Sequence, residues 1–394
     1  MEKKYNLKVC FSIYFFVLVQ VLIGQTRKEV NIPNIPGYQT LKCDFHMHTV
    51  FSDGQVWPTI RVYEAWRDGL DVIAITDHIN YRHPKLKESG YLQVGNHNAP
   101  YDEAKLTAEK LGITLIKGIE INRDSPVVGH FNVLFADDLN KLTDDDFFKA
   151  LRAAKKQGAF IQWNHPWYKQ KGKLTWYDVH EKLYSEGLLD GIEVYNSDRF
   201  CPEVIDLAKE KKLTVTADSD VHLLIDMMHD EGTHRPMTLV FAKDKTEESI
   251  KEALFQRRTA AYFDNTLVGD SKYLKELFEA SVQVIHLPMI VDYLERNIEF
   301  KNNSDIDFEL ELIEAPKGTQ LPEKINLKAN RITLQSMKLY NDNVIQANSL
   351  KGIYEVKNFK SISGDKVLIE FDFLKKEPAK VIEFIKFTYP EVRY

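Results

Sequence analysis

The sequence predicts an α/β fold of the parallel sheet or barrel type, followed by a small all-β domain. From about residue 39 to residue 243, short apolar runs alternate with amphipathic helical patterns, as in strand–helix–strand units. After about residue 287, apolar residues alternate with charged ones, which is typical of strands with one wet face. Of the 394 residues, 44% are hydrophobic and 28% are charged. This ordinary globular composition excludes a disordered or fibrous chain.

The apolar runs predict the strands of the first domain, and seven or eight such units favour a barrel. The runs span residues 41–45, 71–76, 113–119, 131–136, 159–163, 191–195, 213–217 and 238–242. Helices are predicted between them at residues 58–67, 101–111, 144–157, 201–211 and 246–256. Pro58 suits a first helical turn, and Thr143 and Thr246 are typical N-caps because acidic residues follow them.

The second domain is predicted to be a sandwich-like arrangement of antiparallel strands. Residues 306–312 and 367–373 show its period-two pattern, and a helical stretch at residues 271–283 leads into it. We therefore divide the chain into a leader (1–25), a barrel (26–284) and a β domain (285–394). The β domain contains one histidine, His286, and no cluster of metal-binding residue types. We assign it a packing, substrate-rim or cell-surface role.

The first 25 residues are typical of a secretory signal peptide. A charged start with Lys3, Lys4 and Lys8 precedes the apolar run 9–24, which ends in the small residue Gly24. The run is shorter than the about 20 apolar residues of a membrane-spanning helix, so a cleaved signal is favoured over a retained anchor. We predict an exported protein, periplasmic or secreted, that leaves the membrane after cleavage.

Charge and cysteine content narrow the classes of partner and fold. The net charge of −6 gives no general attraction to nucleic acid or anionic lipid, so we expect a small-molecule substrate rather than a large nucleic-acid partner. Cleavage of the leader would leave Cys43 and Cys201, enough for at most one disulfide. Two free thiols are favoured, because Cys43 lies in a predicted buried strand and Cys201 begins a helix.

Several histidines stand at the carboxyl ends of the predicted strands. Side chains alternate along a strand, so His46 and His48 point to the same side and can bind one ion. Loops at the carboxyl ends of parallel barrel strands converge on an active site. The other acidic and histidine residues near strand ends are Asp53, His78, Glu120, His130, His165, Asp220 and His222. We predict that all nine residues meet in one cavity.

So many imidazoles and carboxylates need a counter-charge, because buried carboxylates repel one another and lose hydration. Divalent cations would supply it. Imidazole with carboxylate suits Zn, Mn or Fe, and the absence of a Cys cluster argues against a thiolate zinc site. A carboxylate that bridges two ions is typical of a multi-metal hydrolase, in which a metal-bound hydroxide attacks the substrate.

In order and spacing, these motifs resemble those of the PHP (polymerase and histidinol phosphatase) superfamily. The motifs are His46-x-His48, Ser52-Asp53-Gly54, Thr76-Asp77-His78, Gly118-Ile119-Glu120, His130, Asn164-His165-Pro166 and Asp220-x-His222. The resemblance covers about residues 40–260 and fills every metal-ligand position. It implies a distorted seven-stranded (β/α) barrel with two or three divalent metals and hydrolysis of phosphoesters. Leader, barrel and β domain together look most like the secreted bacterial branch, which includes phosphodiesterases.

The resemblance also implies how the ligands are shared. One metal would be held by His46, His48, Glu120 and Asp220. Glu120 would bridge to a second metal, completed by His130 and His165. A third metal would take Asp53, His78 and His222, with Asp53 standing where some relatives have a histidine.

Three further residues are predicted to assist an in-line attack on phosphorus by a hydroxide bridging two metals. Asp77 and Asp218 stand beside ligands and are predicted to orient a histidine or shuttle a proton. Arg235 is predicted to grip the phosphate, because arginine matches phosphate oxygens with a fixed fork. Arg199 and His83 are candidates for the same role, although an ordinary surface position is the favoured alternative for these residues and for Arg235. We interpret the remaining histidines as ordinary polar residues: His97, His180, His229, His234 and His286.

Two other functions stay open at this point. One is a non-catalytic, metal-containing envelope protein whose β domain binds glycan or a partner, and the other is a metal hydrolase of non-phosphate bonds. The motif loops lack a compact Lys/Arg cluster, which favours a phosphodiester over the more highly charged monoester. Trp163 and Trp167 flank His165 and are candidates for the pocket mouth, with core packing the favoured alternative for Trp163.

Overall fold

The computed structural model describes residues 26–79, 95–123, 128–168, 170, 174–229, 234–290, 294–340 and 349–373. The predicted leader and His83 lie outside the described residues. The chain forms two compact units. The first runs to residue 281 and also includes the later segments 304–306 and 358–367. The boundary predicted at residues 284–285 falls just beyond this division.

Strands and helices alternate in the first unit, and strands dominate the second. The strands are β1 Gln39–Asp44, β2 Val72–Ile75, β3 Thr114–Arg123, β4 Gly129–Leu134, β5 Phe160–Asn164, β6 Gly191–Asn196, β7 Arg199–Phe200, β8 Thr214–Asp218, β9 Met237–Ala242, β10 Thr259–Phe263, β11 Thr266–Gly269, β12 Val282–Ile290, β13 Glu295–Asn302, β14 Phe308–Glu314, β15 Thr319–Gln320, β16 Lys324–Leu327, β17 Ile332–Leu339, β18 Lys351–Val356, β19 Phe359–Ser361 and β20 Leu368–Asp372. The α-helices are α1 Pro58–Arg67, α2 Ala99–Leu111, α3 Phe147–Lys156, α4 Asp178–Ser185, α5 Glu203–Lys211, α6 Glu247–Phe255 and α7 Ser271–Ser281.

Each of the apolar runs forms a strand, and each predicted helix is present within a few residues of its expected bounds. Helix α4 was missed by the sequence pattern. Its buried positions are His180 and Leu183, which are too few to give a helical period of apolar residues. Short 3-10 helices at Leu139–Leu142 and Ile225–Met227 complete the loops of the first unit.

The strands of the first unit form one curled α/β sheet of the half-barrel type. Its order is β19-β11-β10-β9-β1-β2-β3-β4-β5-β6, and β6 also pairs with β7 and β8. The curl brings β8 beside β9 and β10, where threonine hydroxyls join the strands. Thr238 Oγ1 lies 2.9 Å from the backbone nitrogen of Ala217 and 3.0 Å from its carbonyl oxygen. Thr259 Oγ1 donates to the carbonyl of Val215 at 2.8 Å.

The sheet is mixed rather than parallel throughout. β4 runs antiparallel to β3 and β5, and β9 runs antiparallel to β1. Only five residues separate Arg123 from Gly129, whereas a parallel crossover needs a dozen or more. The connection is therefore a hairpin. As a consequence, the start of β4 lies at the same edge as the carboxyl ends of β3 and β5.

Two apolar clusters build the core of the first unit. One contains Phe131, Trp163 and the buried face of α3, and the other contains Phe45, Phe160 and the buried face of α6. Cys43 and Cys201 are both buried free thiols. In the part of the chain that the structure describes, no helix is long and apolar enough to span a membrane.

The second unit contains two antiparallel sheets, ordered β12-β13-β17-β15 and β16-β14-β18-β20. Phe300 of β13 and Phe371 of β20 meet edge to face with ring centroids 5.2 Å apart, which joins the two sheets. Among its described residues, this unit has no group of three His, Cys, Asp or Glu side chains that could hold a metal ion.

A buried arginine fastens helix α1 to two of the loops that carry predicted ligands. The Arg61 side chain has no solvent exposure. It donates to the carbonyls of His48 at 2.9 Å, Leu223 at 2.7 Å and Val221 at 3.2 Å. Its remaining partner is the carboxylate of Glu64, 2.7 Å from Nη1. Each of the three guanidinium nitrogens thereby has a partner.

Replacing Arg61 with Met should lower the free energy of unfolding by about 3–5 kcal/mol, because Glu64 would keep a buried charge without its partner. The matched control is Arg152→Met. Arg152 is 45% exposed where it pairs with Glu186, so this change should cost about 0–1 kcal/mol. Urea unfolding of the metal-free variants measures both values. Equal losses in the two variants would contradict the role assigned to Arg61.

Candidate metal centre

The predicted ligands lie at one edge of the curled sheet. Beyond β1, the chain stays extended beside the end of β8. Asp220 N–H donates to the His46 carbonyl at 2.9 Å, and His48 N–H donates to the Val221 carbonyl at 3.0 Å. Because side chains alternate along an extended segment, His46 and His48 point to the same side, next to Asp220.

The first ligand group consists of four atoms that face one another. His46 Nε2 and His48 Nε2 are 3.1 Å apart, and each lies 3.1 Å from Asp220 Oδ1. Glu120 Oε2 lies 3.5 Å from His46 Nε2 and 3.4 Å from His48 Nε2. His78 Nδ1 lies closer still, 2.8 Å from the same oxygen. Nitrogen and oxygen lone pairs this close need a proton or a cation between them, so the donor set fits a divalent metal.

The second group shares Glu120 with the first. Glu120 Oε1 lies 3.1 Å from His130 Nδ1 and 3.6 Å from His165 Nε2. One carboxylate therefore presents one oxygen to each group. This is the position of a bridging ligand between two ions.

The third group is centred on Asp53. Its Oδ1 lies 3.3 Å from His222 Nε2, and its Oδ2 lies 3.6 Å from His78 Nε2. His48 also belongs here, because its Nδ1 is 3.6 Å from Asp53 Oδ1. Sequence reasoning placed His48 only in the first group. The structure thus brings all nine predicted ligands into one continuous cluster.

The charge states of His48 and Glu120 suit metal ligation. Burial, together with His222 and His78, lowers the pKa of His48 to about 3, which keeps its imidazole neutral. Burial of Glu120 would raise the pKa of its carboxyl, but His78, His46 and His130 hold that pKa well below its ordinary value. Neutral imidazoles and ionised carboxylates are the forms in which these residues bind divalent ions.

Two ligand residues have a left-handed backbone. The φ angle is 50° at Asp220 and 28° at His165. Such conformations cost on the order of 1–3 kcal/mol and cluster at functional sites, where the surrounding structure holds them in place.

Gly54 explains the glycine of the Ser52-Asp53-Gly54 motif. A Cβ atom at this position would lie 2.5 Å from the carbonyl carbon of His48 and 2.6 Å from the backbone nitrogen of Thr49. Only glycine lets the Asp53 loop approach the His48 backbone this closely.

Asp77 lies behind the ligands. Its carboxylate accepts the backbone N–H of Thr49 at 2.7 Å and the Ser52 hydroxyl at 2.6 Å. Ser52 Oγ is also 3.3 Å from His48 Nδ1, so Asp77 contacts the His48 ring through one intermediary. Burial raises the pKa of Asp77.

Asp218 holds backbone rather than a ligand ring. Its Oδ1 accepts the N–H of Phe45 at 2.8 Å, and its Oδ2 accepts from Gln162 Nε2 at 3.0 Å. Burial and the neighbouring Asp44 raise the pKa of Asp218 to about 6. Asp218 therefore positions the segment that leads into His46.

Arg235 does not occupy the position that a substrate-gripping residue requires. It is 2% exposed, and its guanidinium pairs with Asp68 at 2.7 Å and with Asp44 at 3.2 Å. It is absent from the lining of the cavity beside the ligands. The two ion pairs use its charge, so we correct its predicted role to that of a structural arginine within the first unit.

Sequence reasoning missed Glu193. The side chain is fully buried, and Glu193 Oε1 lies 2.7 Å from His46 Nδ1. The signal was present as a carboxylate in the middle of the apolar run 191–195. Burial raises the pKa of Glu193 to about 8, although His46 and other hydrogen-bond donors around the carboxylate favour its ionised form.

A cavity of about 460 Å³ opens beside the ligands. Besides ligands, its lining contains Asn122, Trp167, Tyr168, Asn196, Ser197, Asp198, Arg199 and Met228. Arg199 is the one Lys or Arg of this lining within the described residues. Trp163, by contrast, is buried and stacks on His180 with ring centroids 4.0 Å apart, so it packs in the core.

A curled α/β sheet with imidazole and carboxylate groups gathered at one edge is typical of metal-binding α/β proteins. The sequence matches the PHP domain family over residues 44–349, and the chain belongs to this family. A solved two-domain protein from Bacteroides vulgatus, described as containing a predicted PHP-like metal-dependent phosphoesterase, is 39% identical. It superposes with a TM-score of 0.81, covering 89% of this chain and 99% of that one.

A second relative is similar over a shorter segment. A 5'-3' exoribonuclease from Haemophilus influenzae is 35% identical over 83 residues. The alignment covers 21% of this chain and 24% of that protein.

Replacing Gly54 with Ala should weaken metal binding by about 10- to 100-fold at the third group, because the added methyl displaces the loop that carries Asp53. Gly95→Ala is the control, since a Cβ there would meet nothing within 4 Å. Metal content after dialysis against a graded chelator measures the effect. Full retention of metal by Gly54→Ala would show that this loop does not shape a metal site.

Proposed function

We propose that the protein is a metal-dependent hydrolase of phosphoester bonds that uses a di- or trinuclear centre. The observation that carries the proposal is the position of Glu120, whose two oxygens face two different histidine groups beside an open cavity. Family membership and the description of the Bacteroides vulgatus relative support the same reaction class.

Different residues of the chain would hold the different cations. His46, His48 and Asp220 would hold one cation, and Glu120 would bridge it to the cation held by His130 and His165. When bound, divalent cations lower the pKa of water and stabilise the charge on attacking and leaving oxygens. The ligand set suits Zn, Mn or Fe, and Asp53, His78 and His222 would hold a third ion.

The lining favours a phosphodiester substrate. A free phosphomonoester carries about two negative charges and calls for several cations around it. The described lining offers Arg199 alone, next to the acidic residue Asp198. A diester, with one negative charge, suits this balance better. We further propose that residues 1–25 direct the protein out of the cytoplasm, to the periplasm or the medium.

Replacing Glu120 with Gln should lower kcat/KM for bis(p-nitrophenyl) phosphate, because it removes the negatively charged oxygen that the two groups share. The loss should exceed the about 10- to 100-fold loss that is typical when a residue that only supports a ligand is changed. Glu186→Gln makes the same chemical change at a surface ion pair with Arg152 and should leave the rate unchanged. The assay uses residues 26–394 loaded with Mn²⁺ or Zn²⁺. Metal binding without turnover of this diester or of mono(p-nitrophenyl) phosphate would contradict the proposal and favour the non-catalytic or non-phosphate functions.

Replacing Arg199 with Gln should raise KM for the diester about 10-fold with little change in kcat, because a hydrogen bond to a charged group is worth about 1.5–3 kcal/mol. Arg152→Gln, which removes an exposed arginine outside the cavity lining, is the control. Steady-state kinetics on both variants provide the comparison. An unchanged KM in Arg199→Gln would mean that this arginine does not contact the substrate.

A further inference from the structure

Glu193 lies in the middle of β6 and contacts two ligand histidines at once. Its Oε1 lies 2.7 Å from His46 Nδ1, and its Oε2 accepts the backbone N–H of His165 at 2.6 Å. Two amides complete its surroundings. Gln162 Nε2 donates to Oε1 at 3.3 Å, and Asn196 Nδ2 donates to Oε2 at 2.9 Å. Each carboxylate oxygen therefore takes one bond to a histidine and one to an amide.

The four contacts have one chemical property in common. Each partner presents N–H toward the carboxylate, once His46 carries its proton on Nδ1. An ionised carboxylate accepts all four of these bonds, whereas a protonated one would point its O–H at one of the donors. A glutamine in this place would always aim its own NH₂ group at two donors, whichever way its amide is turned.

The bond to His46 Nδ1 also sets the chemistry of the other ring nitrogen. With the proton fixed on Nδ1, the lone pair of Nε2 faces His48 and Asp220 in the first ligand group. A carboxylate behind a ligating imidazole holds the ring orientation and increases the basicity of the ligand.

The bond to the His165 backbone acts on the second group. His165 has a φ of 28°, a conformation that its surroundings must hold. The Oε2 contact fixes the peptide nitrogen of this strained residue. Asp53 and His222 of the third group, in contrast, have no hydrogen bond or ion pair with Glu193 in the described part of the chain, and they are held through the loops after β1 and β8.

We propose that Glu193 is a positioning residue that braces the first and second ligand groups together and reaches the third group only through the shared His48 and Glu120. This inference rests on the proposed metal-dependent function but concerns metal binding, and it holds whether or not the centre hydrolyses phosphoesters. A single buried side chain then sets the affinity of the two ions that Glu120 bridges.

The test is a Zn²⁺ titration against a chromophoric chelator, carried out on Glu193→Gln with residues 26–394. We expect the equivalents bound by the first and second groups to lose about 10- to 100-fold in affinity. Asp53→Asn identifies the third-group equivalent, which Glu193→Gln should retain. Asp190→Asn is the matched control, because Asp190 precedes the same strand and accepts the N–H of Ile161 far from the histidines.

Two further measurements separate positioning from general stability. Urea unfolding of the metal-free proteins reports any loss of stability, and the absorption spectrum of the Co²⁺-loaded protein reports ligand geometry. A selective loss of affinity for two metal equivalents, together with an altered Co²⁺ spectrum, supports the positioning role of Glu193. Equal weakening of every equivalent in step with a stability loss, or unchanged binding, overturns it. Failure of Glu120→Gln to change metal binding would instead contradict the proposed centre itself.

Discussion

The structure depends on one electrostatic constraint, the mutual repulsion of lone pairs gathered at one edge of the sheet. Imidazole nitrogens and carboxylate oxygens of the first group lie 3.1–3.5 Å apart, and the side chains of His46, His48 and Glu120 are fully buried. Such a cluster is unfavourable unless positive charge lies between its members. Protons on the histidines meet this need in part, and divalent cations meet it fully. Metal binding and folding of this edge are therefore thermodynamically linked.

The scaffold resists this repulsion with buried polar contacts rather than with apolar packing alone. Arg61 fixes the carbonyl of His48, and Asp218 fixes the N–H of Phe45 on the approach to His46. Threonine hydroxyls join β8 to its neighbours where the curled sheet meets itself. Each contact satisfies a backbone group that would otherwise be buried without a partner. These hydrogen bonds consequently hold the backbone that carries the ligands, two of which have left-handed conformations.

Sequence reasoning succeeded where local periodicity determines the outcome. Alternation placed His46 and His48 on one side, and strand ends located Glu120 and Asp220 at the same edge. It failed where contacts between distant segments determine the structure. The antiparallel direction of β4 follows from a short connection, and the second contact of His48, with Asp53, depends on how two loops meet. Glu193 was overlooked because a carboxylate inside an apolar run has no meaning until its partners are known.

The two arginines show why charge cannot be assigned from sequence alone. Arg235 and Arg199 both stand near ligand motifs in the sequence, yet Arg235 is neutralised by Asp44 and Asp68 whereas Arg199, in the short strand β7, is exposed at the cavity. The described lining thus has more carboxylates than Lys or Arg side chains. In the proposed hydrolase, the ions that activate water must also supply most of the attraction for the phosphoryl group. Substrate binding and chemistry would then be lost together when the metals are removed, and Arg199 would adjust affinity without replacing them.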